Sequence, residues 1–173
     1  MWYYQITNGN KVTDNMKTKN KEKTNMKKLW HYTSFDRLVN IKMHGKLYPS
    51  SSNLLMPKGQ MRVRPSRYGT GFYEIYDDTS DYKPVVWLTS SECPDSNALG
   101  LTHVKTQVRM LFKTDAEPWS KFADENKMDK TWRKAIEKGR KPDTWFVHEG
   151  ELSLDECEDV QFRADDGTWT SIL

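Results

Sequence analysis

Residues 29–45 read LWHYTSFDRLVNIKMHG, and this stretch decides the fold because a strand signal passes directly into a helix signal. Aromatic and β-branched residues at its start predict a short strand over 29–33. Thr33 and Asp36 then resemble a capping box with Asp in place of Glu. Apolar residues follow at helical spacing, and Gly45 is a natural C-terminal stop. The stretch therefore predicts a strand, a tight turn and a helix of about ten residues.

Strand signals separated by short helix signals fill the rest of the chain, without a regular βαβ repeat. The predicted strands are 85–89, 104–112, 145–148, 160–163 and 168–172, and helices are predicted from Pro118 and over 130–138. Asp166-Gly167 between the last two strands is a strong hairpin signal. This order predicts an α+β fold rather than a doubly wound sheet.

Residues 50–84 interrupt this order with clusters of Ser, Gly, Pro and Asn, which predict a long loop. Arg62, Arg64 and Arg67 make the loop a candidate for phosphate contact, although a solvated loop is the simpler interpretation. Loops of this length inside a compact domain often carry function.

The length of the chain indicates a single domain. The chain has 173 residues, which suits one domain, and a formal net charge of +3, too small to imply nucleic acid by itself. Residues 1–27 are rich in Asn, Lys and Thr and lack apolar periodicity. We expect them to form a disordered or flexible basic leader, with translation from Met26 as an alternative, and expect one domain over 28–173.

Several classes of protein are disfavoured. No apolar run approaches the roughly 20 residues that cross a membrane, so we expect no membrane contact. No GxGxxG follows the first strand and no Walker motif is present, which disfavours a Rossmann or P-loop nucleotide site. No HExxH or Cys/His zinc spacing occurs, so we expect no metal. The two cysteines are far apart and are interpreted as reduced thiols of a cytoplasmic protein.

Two polar groups lie at predicted strand ends. His31, Tyr32 and Thr33 stand beside a helix N-terminus, where free backbone N–H groups suit ribose and phosphate. Capping of the helix by Thr33 or Ser34 is the simpler interpretation and does not exclude binding.

Trp87, Thr89 and Ser90 form the second group, an aromatic residue followed by hydroxyls that can stack on a flat ring and hydrogen-bond its edge. A core Trp followed by a loop is the simpler interpretation. Arg109 lies inside a predicted strand, facing either solvent or a cleft. Glu149 and Glu151 follow an aromatic strand, and such a carboxylate can stabilise a cationic sugar transition state.

Together these segments resemble a family. LxHYTS, a helix ending in Gly, VVWLTSS, a strand with Arg and PxxWFVHEGEL occur in that order over roughly residues 29–160. The pattern resembles ADP-ribosyltransferase-like proteins of bacteria and phages, in the group with a His–Tyr–Glu type triad. Similar openings occur in DNA-targeting ADP-ribosyltransferase toxins and in RNA 2′-phosphotransferases. The resemblance implies a split β-sheet core with short flanking helices.

The resemblance also implies residue roles around NAD, used as a substrate. His31, with Tyr32 and Thr33 nearby, would contact the adenosine-side ribose. Trp87 would occupy the second-motif strand, although a Tyr is expected there. Thr89 and Ser90 would border the nicotinamide pocket.

The catalytic carboxylate is ambiguous. Glu149 or Glu151 would stabilise the oxocarbenium character of the nicotinamide ribose, and on an extended segment both would point to the same face. Arg109 would hold phosphate or orient the acceptor.

The implied function is NAD-dependent ADP-ribosylation of a macromolecular acceptor, protein or nucleic acid, by a bacterial or phage-encoded cytoplasmic protein. Its role would be that of a toxin, a host-takeover factor or an anti-defence protein, and the loop 50–84 is the candidate acceptor-binding element. Two alternatives remain. One is a catalytically inactive module that binds a nucleotide or a partner protein and inhibits it, and the other is a small nucleic-acid-binding protein.

Overall fold

Strand β1 (Lys27–Thr33) and helix α1 (Phe35–His44) form where the sequence predicts them in the computed structural model of the protein. The structure describes residues 26–51, 53–55, 57–65, 72–78, 82–92 and 95–172. The cap of α1 is Ser34, whose Oγ accepts from the Arg37 backbone N–H at 3.4 Å. Thr33 is not the cap because it is still paired in β1, opposite Val108. Gly45 ends the helix at a φ of 68°, a left-handed conformation that favours glycine.

Ten further strands, three further α-helices and three short 3₁₀ helices complete the described elements. The strands are β2 (Lys46–Leu47), β3 (Pro57–Pro65), β4 (Phe72–Asp78), β5 (Val85–Thr89), β6 (Val108–Thr114), β7 (Glu117–Pro118), β8 (Trp145–Glu149), β9 (Leu152–Ser153), β10 (Cys157–Arg163) and β11 (Trp169–Ser171). The helices are α2 (Ser96–Leu99), α3 (Trp119–Glu125) and α4 (Lys130–Glu137). The α+β prediction is confirmed, since the chain is mixed α and β and the described strands pair antiparallel.

The main sheet is split in its middle, between β1 and β5, and we call this gap the parting. Its strand order is β11-β10-β6-β1-β5-β8-β7. Strand β1 pairs with β6 along its whole length, and β5 pairs with β8 along its whole length. Between β1 and β5, however, the register holds a single pair, Trp30 opposite Thr89. The two halves of the sheet therefore meet at one point and separate beyond it.

Both faces of the sheet are covered at β5, because apolar residues occupy both alternating sets of this strand. Val86 and Leu88 pack on the α1 face, in a cluster that includes Leu29 and Phe112. Val85 and the partly buried Trp87 pack on the opposite face, in a cluster formed with α3, α4 and β8. Packing on both faces holds β5 in place, and the edge of β5 that faces β1 borders the parting.

Aromatic rings dominate the second cluster. Trp87 lies 4.9 Å from Trp119 and 6.0 Å from Trp145 between ring centroids, the latter pair at 89°. The Trp119 Nε1 donates to Glu137 Oε1 at 2.8 Å. Nε1 of Trp87 and of Trp145 have no acceptor within the described ranges.

The loop prediction for residues 50–84 is wrong for two stretches, since β3 and β4 form an antiparallel two-stranded sheet. Arg62 stands opposite Ile75, and Arg64 opposite Tyr73. The Gly and Pro residues around these stretches favoured a loop, although the β-branched and aromatic residues within them favour strands. Arg67 lies outside the described residues.

The boundaries of other elements differ from the predicted ones by a few residues. The strand predicted over 104–112 is Val108–Thr114, because His103–Thr106 turns as a short 3₁₀ helix closed by the Thr106 hydroxyl donating to His103 O at 2.7 Å. The predicted leader 1–27 lies outside the described residues apart from Met26 and Lys27, and Lys27 is already the first residue of β1. Among the described helices, none has the length and apolar character needed to traverse a bilayer.

Phe112→Ala tests the first cluster. The Phe112 side chain is fully buried on β6, and its removal leaves a cavity that neighbours fill only partly. We expect the free energy of unfolding to fall by about 3–5 kcal/mol, measured by urea denaturation. Met43→Ala on α1, where the side chain is 76% exposed, is the control and should change it by less than about 0.5 kcal/mol. Equal losses in the two variants would contradict this position of the core.

Candidate functional site

A cavity of about 550 Å³ opens where the sheet parts between β1 and β5. Its walls come from the end of β1, the length of β5, one side of α1, and the segment from β2 to Ser50. Leu99, Leu101, Lys105, Ile136, Arg140 and Trp145 close the remaining side. A volume of this size is typical of small-molecule and cofactor sites.

His31 bridges the parting. Its Nδ1 lies 2.9 Å from the Trp87 backbone oxygen. A carbonyl oxygen only accepts, so Nδ1 carries the proton, and Nε2 of the neutral ring is left as an acceptor. By strand alternation His31 lies on the α1 face with Leu29, whereas the Trp87 ring lies on the opposite face. Both line the cavity because it follows the gap between the two strands.

Burial lowers the pKa of His31 below its ordinary value. The hydrogen bond to the Trp87 oxygen acts in the opposite direction, and the nearby positive charges of Lys105 and Arg37 lower the pKa further. His31 is therefore neutral at pH 7. A neutral ring with a free Nε2 suits a hydroxyl donor better than an anion.

One side of α1 faces the cavity. Arg37, Asn40, Ile41 and His44 line it and recur at positions i, i+3, i+4 and i+7 of the helix. The apolar residues Phe35, Val39 and Met43 stand on another side and are exposed. Helix α1 thus presents to the cavity a mostly polar side that includes the cation Arg37.

The cavity is cationic. Its charged lining residues are Arg37, Lys46, Lys105 and Arg140, and no Asp or Glu appears among the described residues that line it. Arg37, Lys105 and Arg140 form no ion pair with another described residue, whereas Lys46 Nζ pairs with Glu151 Oε2 at 2.6 Å. Such a wall attracts anions, and arginine and lysine are the usual partners of phosphate groups.

Tyr32 and Thr33 also line the cavity as predicted. The Tyr32 hydroxyl donates to Ser91 O at 3.2 Å, and its ring packs edge-on against Trp169. Thr33 is buried at the end of β1.

From the second predicted group, Trp87 and Thr89 line the cavity, whereas Ser90 does not. The Trp87 ring is packed among other indoles, and Thr89 Oγ1 accepts from the Ser91 backbone N–H at 3.0 Å. Ser90 is exposed, and its backbone N–H donates to Thr144 O at 3.0 Å.

Arg109 lies outside the cavity lining. Its guanidinium is sandwiched between Trp30, at 4.1 Å, and Trp169, at 4.4 Å to the ring centroids. Nε donates to Gln161 Oε1 at 2.7 Å, and NH1 donates to Glu92 O at 3.0 Å. These contacts join the centre of the sheet to the C-terminal hairpin and to the segment after β5.

Neither predicted carboxylate lines the cavity. Glu149 pairs with Lys83 at 2.9 Å, and Glu151 pairs with Lys46 at 2.6 Å. The expectation that both point to one face of an extended segment is wrong. Gly150 has a φ of 97°, which ends β8 and turns the two side chains toward different lysines.

Glu151 is tied to the end of α1. Strands β2 and β9 pair Lys46 with Ser153, and the Leu154 backbone N–H donates to Gly45 O at 2.9 Å. Lys46 itself lines the cavity, whereas Lys83 does not. Glu151 therefore does not line the cavity itself, but it contacts Lys46, which does.

Several cavity residues escaped the sequence prediction. The polar spacing of Arg37, Asn40 and His44 along the predicted helix was a usable signal, because it marks one side of α1 opposite its exposed apolar residues. Lys105 and Arg140 carry no local signal, since only the tertiary fold brings them to the cavity.

We expect the pKa of His31, followed by NMR titration, to lie below 6.5, with the neutral ring protonated at Nδ1 in long-range proton–nitrogen spectra. Since the unfolded chain takes up this proton first, the stabilisation is complete above about pH 6.5 and declines as the pH falls toward the lowered pKa. His31→Asn keeps a donor for the Trp87 oxygen without titrating, so its stability should change less between about pH 7 and pH 5. A His31 pKa at or above 6.5 would contradict this arrangement.

Arg109→Ala should lower the free energy of unfolding by roughly 1–3 kcal/mol, because two cation–π contacts are lost. Lys113→Ala, at an exposed position of the same strand, is the matched control and should have little effect. Chemical denaturation measures both. An unchanged stability of Arg109→Ala would show that the stacked arrangement carries no energy.

Within the described ranges, no cluster of three or more His, Cys, Asp or Glu side chains is placed to ligate a metal ion. Comparison with protein-family models, with curated proteins and with solved structures finds no match for this chain.

Proposed function

We propose that the protein is an ADP-ribosyltransferase that binds NAD in this cavity and transfers ADP-ribose to a macromolecule. The observation that carries the proposal is the cationic cavity at the parting of β1 and β5, which contains His31 and Trp87 in the order and strands that the family resemblance implies. The parted sheet likewise supports the split β-sheet fold of that family.

The chemistry of the wall suits the parts of NAD. Arg37 and Lys105 flank His31 and would bind the two phosphates. Nε2 of neutral His31 would accept a hydrogen bond from a ribose hydroxyl. The apolar end near Leu99, Ile136 and Trp145 would take a flat ring.

The proposed reaction breaks the bond between the ribose C1′ and the nicotinamide nitrogen. Nicotinamide leaves with the bonding electron pair as a neutral molecule, and C1′ gains oxocarbenium character. An acceptor hydroxyl or amine then bonds to C1′ and loses its proton. A carboxylate near C1′ would stabilise the developing positive charge.

Glu151 is the better candidate for that carboxylate, because its lysine partner lines the cavity. Glu149 pairs with a lysine outside the lining.

One observation favours a second candidate, a catalytically inactive module that binds a nucleotide. Neither glutamate lines the cavity, and a lysine neutralises each of them. Such a module would bind NAD without consuming it and would act by blocking a partner.

We expect isothermal titration calorimetry to detect NAD binding by the full chain. Arg37→Gln combined with Lys105→Gln should weaken that binding roughly tenfold or more, because charge-assisted hydrogen bonds are lost. Lys130→Gln combined with Lys134→Gln removes the same charge from exposed positions of α4 and should leave the affinity unchanged. No heat with NAD, or equal loss in both pairs, would refute the proposed site.

A transfer assay with labelled NAD and cell lysate separates the two candidate functions. We expect Glu151→Gln to abolish label transfer and Glu149→Gln to retain it, with NAD binding by calorimetry kept in both. Loss in Glu149→Gln alone would assign the other carboxylate. Binding of NAD without transfer by the unaltered chain would favour the inactive module.

A further inference from the structure

We propose that Arg140 forms a subsite for a third anionic group of the ligand, so that the cavity binds a dinucleotide with an additional phosphate or carboxylate more tightly than NAD. The inference rests on the proposed function, because it requires a dinucleotide in this cavity. The other described cations of the lining are already engaged: Arg37 and Lys105 with the two phosphates of NAD in the proposed complex, and Lys46 with Glu151. Arg140 is the lining cation that neither use accounts for.

The guanidinium of Arg140 has no ion-pair partner among the described residues, although an acid lies three positions before it. That acid, Glu137, is occupied: its Oε1 accepts from Arg133 Nε and from Trp119 Nε1, each at 2.8 Å. Arg133 also pairs with Asp124. Structural ion pairs therefore neutralise Arg133, whereas the charge of Arg140 stays available to an anion in the cavity.

Contacts with the backbone hold the Arg140 guanidinium in place. Its NH1 donates to the Ile136 backbone oxygen at 2.7 Å. The group also lies against Gly100, so closely that a Cβ atom there would be 3.0 Å from Cζ, Nε and NH1. The Lys141 backbone N–H donates to Ala98 O at 3.1 Å, which ties the following segment to α2. A cation held in this way loses little conformational freedom when it binds an anion.

The apolar end of the cavity adjoins Arg140. Gly100, against which the guanidinium lies, stands between Leu99 and Leu101 in the sequence, and both leucines line the cavity together with Ile136. A charge-assisted hydrogen bond beside apolar side chains is stronger than the same bond in open water. Arg140 therefore offers an anion contact directly beside the place proposed for a flat ring.

The proposed pyrophosphate site is a different part of the cavity. The positive charges of Lys105 and Arg37 lower the pKa of His31, and Arg140 makes no such contribution. Arg140 is therefore farther from His31 than those two cations are. An anion that reaches Arg140 belongs to another part of the ligand than the pyrophosphate.

Apart from its two phosphates, NAD has no anionic group. Two related dinucleotides have one, and each carries it next to a flat ring. NADP has a phosphate on the 2′ oxygen of the ribose beside adenine, and nicotinic acid adenine dinucleotide has a carboxylate on its pyridine ring. Both groups present two oxygens that match the parallel N–H donors of a guanidinium.

Isothermal titration calorimetry of the full chain with NAD, NADP and nicotinic acid adenine dinucleotide tests the subsite. We expect one of the last two to bind roughly tenfold more tightly than NAD, as one charge-assisted contact implies. Arg140→Gln should reduce this ratio of affinities to about one, because the donors of the guanidinium are lost. The dinucleotide that binds more tightly identifies the anion as phosphate or carboxylate.

Two controls separate a specific contact from the general charge of the cavity. Lys105→Gln should weaken all three dinucleotides by the same factor and leave the ratio unchanged, because the pyrophosphate is common to them. Lys141→Gln removes a charge from the exposed neighbour of Arg140 that does not line the cavity, and it should leave all three affinities unchanged.

Equal affinity for the three dinucleotides would overturn the subsite and leave the proposed function standing. The same holds if Arg140→Gln weakens all three equally, or if the ratio falls as far in Lys105→Gln as in Arg140→Gln. Tight binding of NADP or nicotinic acid adenine dinucleotide through Arg140, without binding of NAD, would refute the proposed substrate alone. No binding of any of the three would overturn both proposals.

Discussion

The hydrogen bond between His31 Nδ1 and the Trp87 carbonyl oxygen is the contact on which the candidate site depends. Strands β1 and β5 are neighbours in the sheet, yet their register holds one pair. At this parting the imidazole N–H of His31 supplies a donor to a backbone carbonyl of β5. The same bond fixes which ring nitrogen carries the proton, so the backbone of β5 determines the chemistry that His31 offers to a ligand.

The two sides of the parting are built differently. On the β5 side, indole rings from Trp87, Trp119 and Trp145 pack together with α3 and leave little freedom. On the other side, α1 is anchored by Leu38 and by its caps, and its polar residues reach the cavity. A wall of packed indole rings therefore faces a helix side that is mostly polar and carries one arginine, Arg37.

The sequence predicted most strands and helices because apolar periodicity and capping are local properties. Strand β1, helix α1, strand β5 and the final hairpin follow from such patterns. The hairpin of β3 and β4 was missed because its stability comes from pairing between segments whose Gly and Pro content indicates a loop.

Site residues divide in the same way. His31, Thr33, Trp87 and Thr89 belong to strands that local patterns identify, and all four line the cavity. The stacking of Arg109 between two tryptophans depends on partners far away in sequence. The orientations of Glu149 and Glu151 depend on a backbone angle at Gly150, and the convergence of Lys105 and Arg140 on the cavity depends on the tertiary fold.

The short β2–β9 sheet makes the end of α1 and the turn that carries Glu151 a single mechanical unit. Gly45 O accepts from Leu154 N–H, β2 follows the helix at once, and Lys46 binds Glu151 across the pair of strands. A displacement of α1 toward an anion in the cavity would therefore be transmitted to Glu151 without any element lying between them. The end of the helix and the carboxylate are therefore joined by direct contacts that begin at the left-handed Gly45.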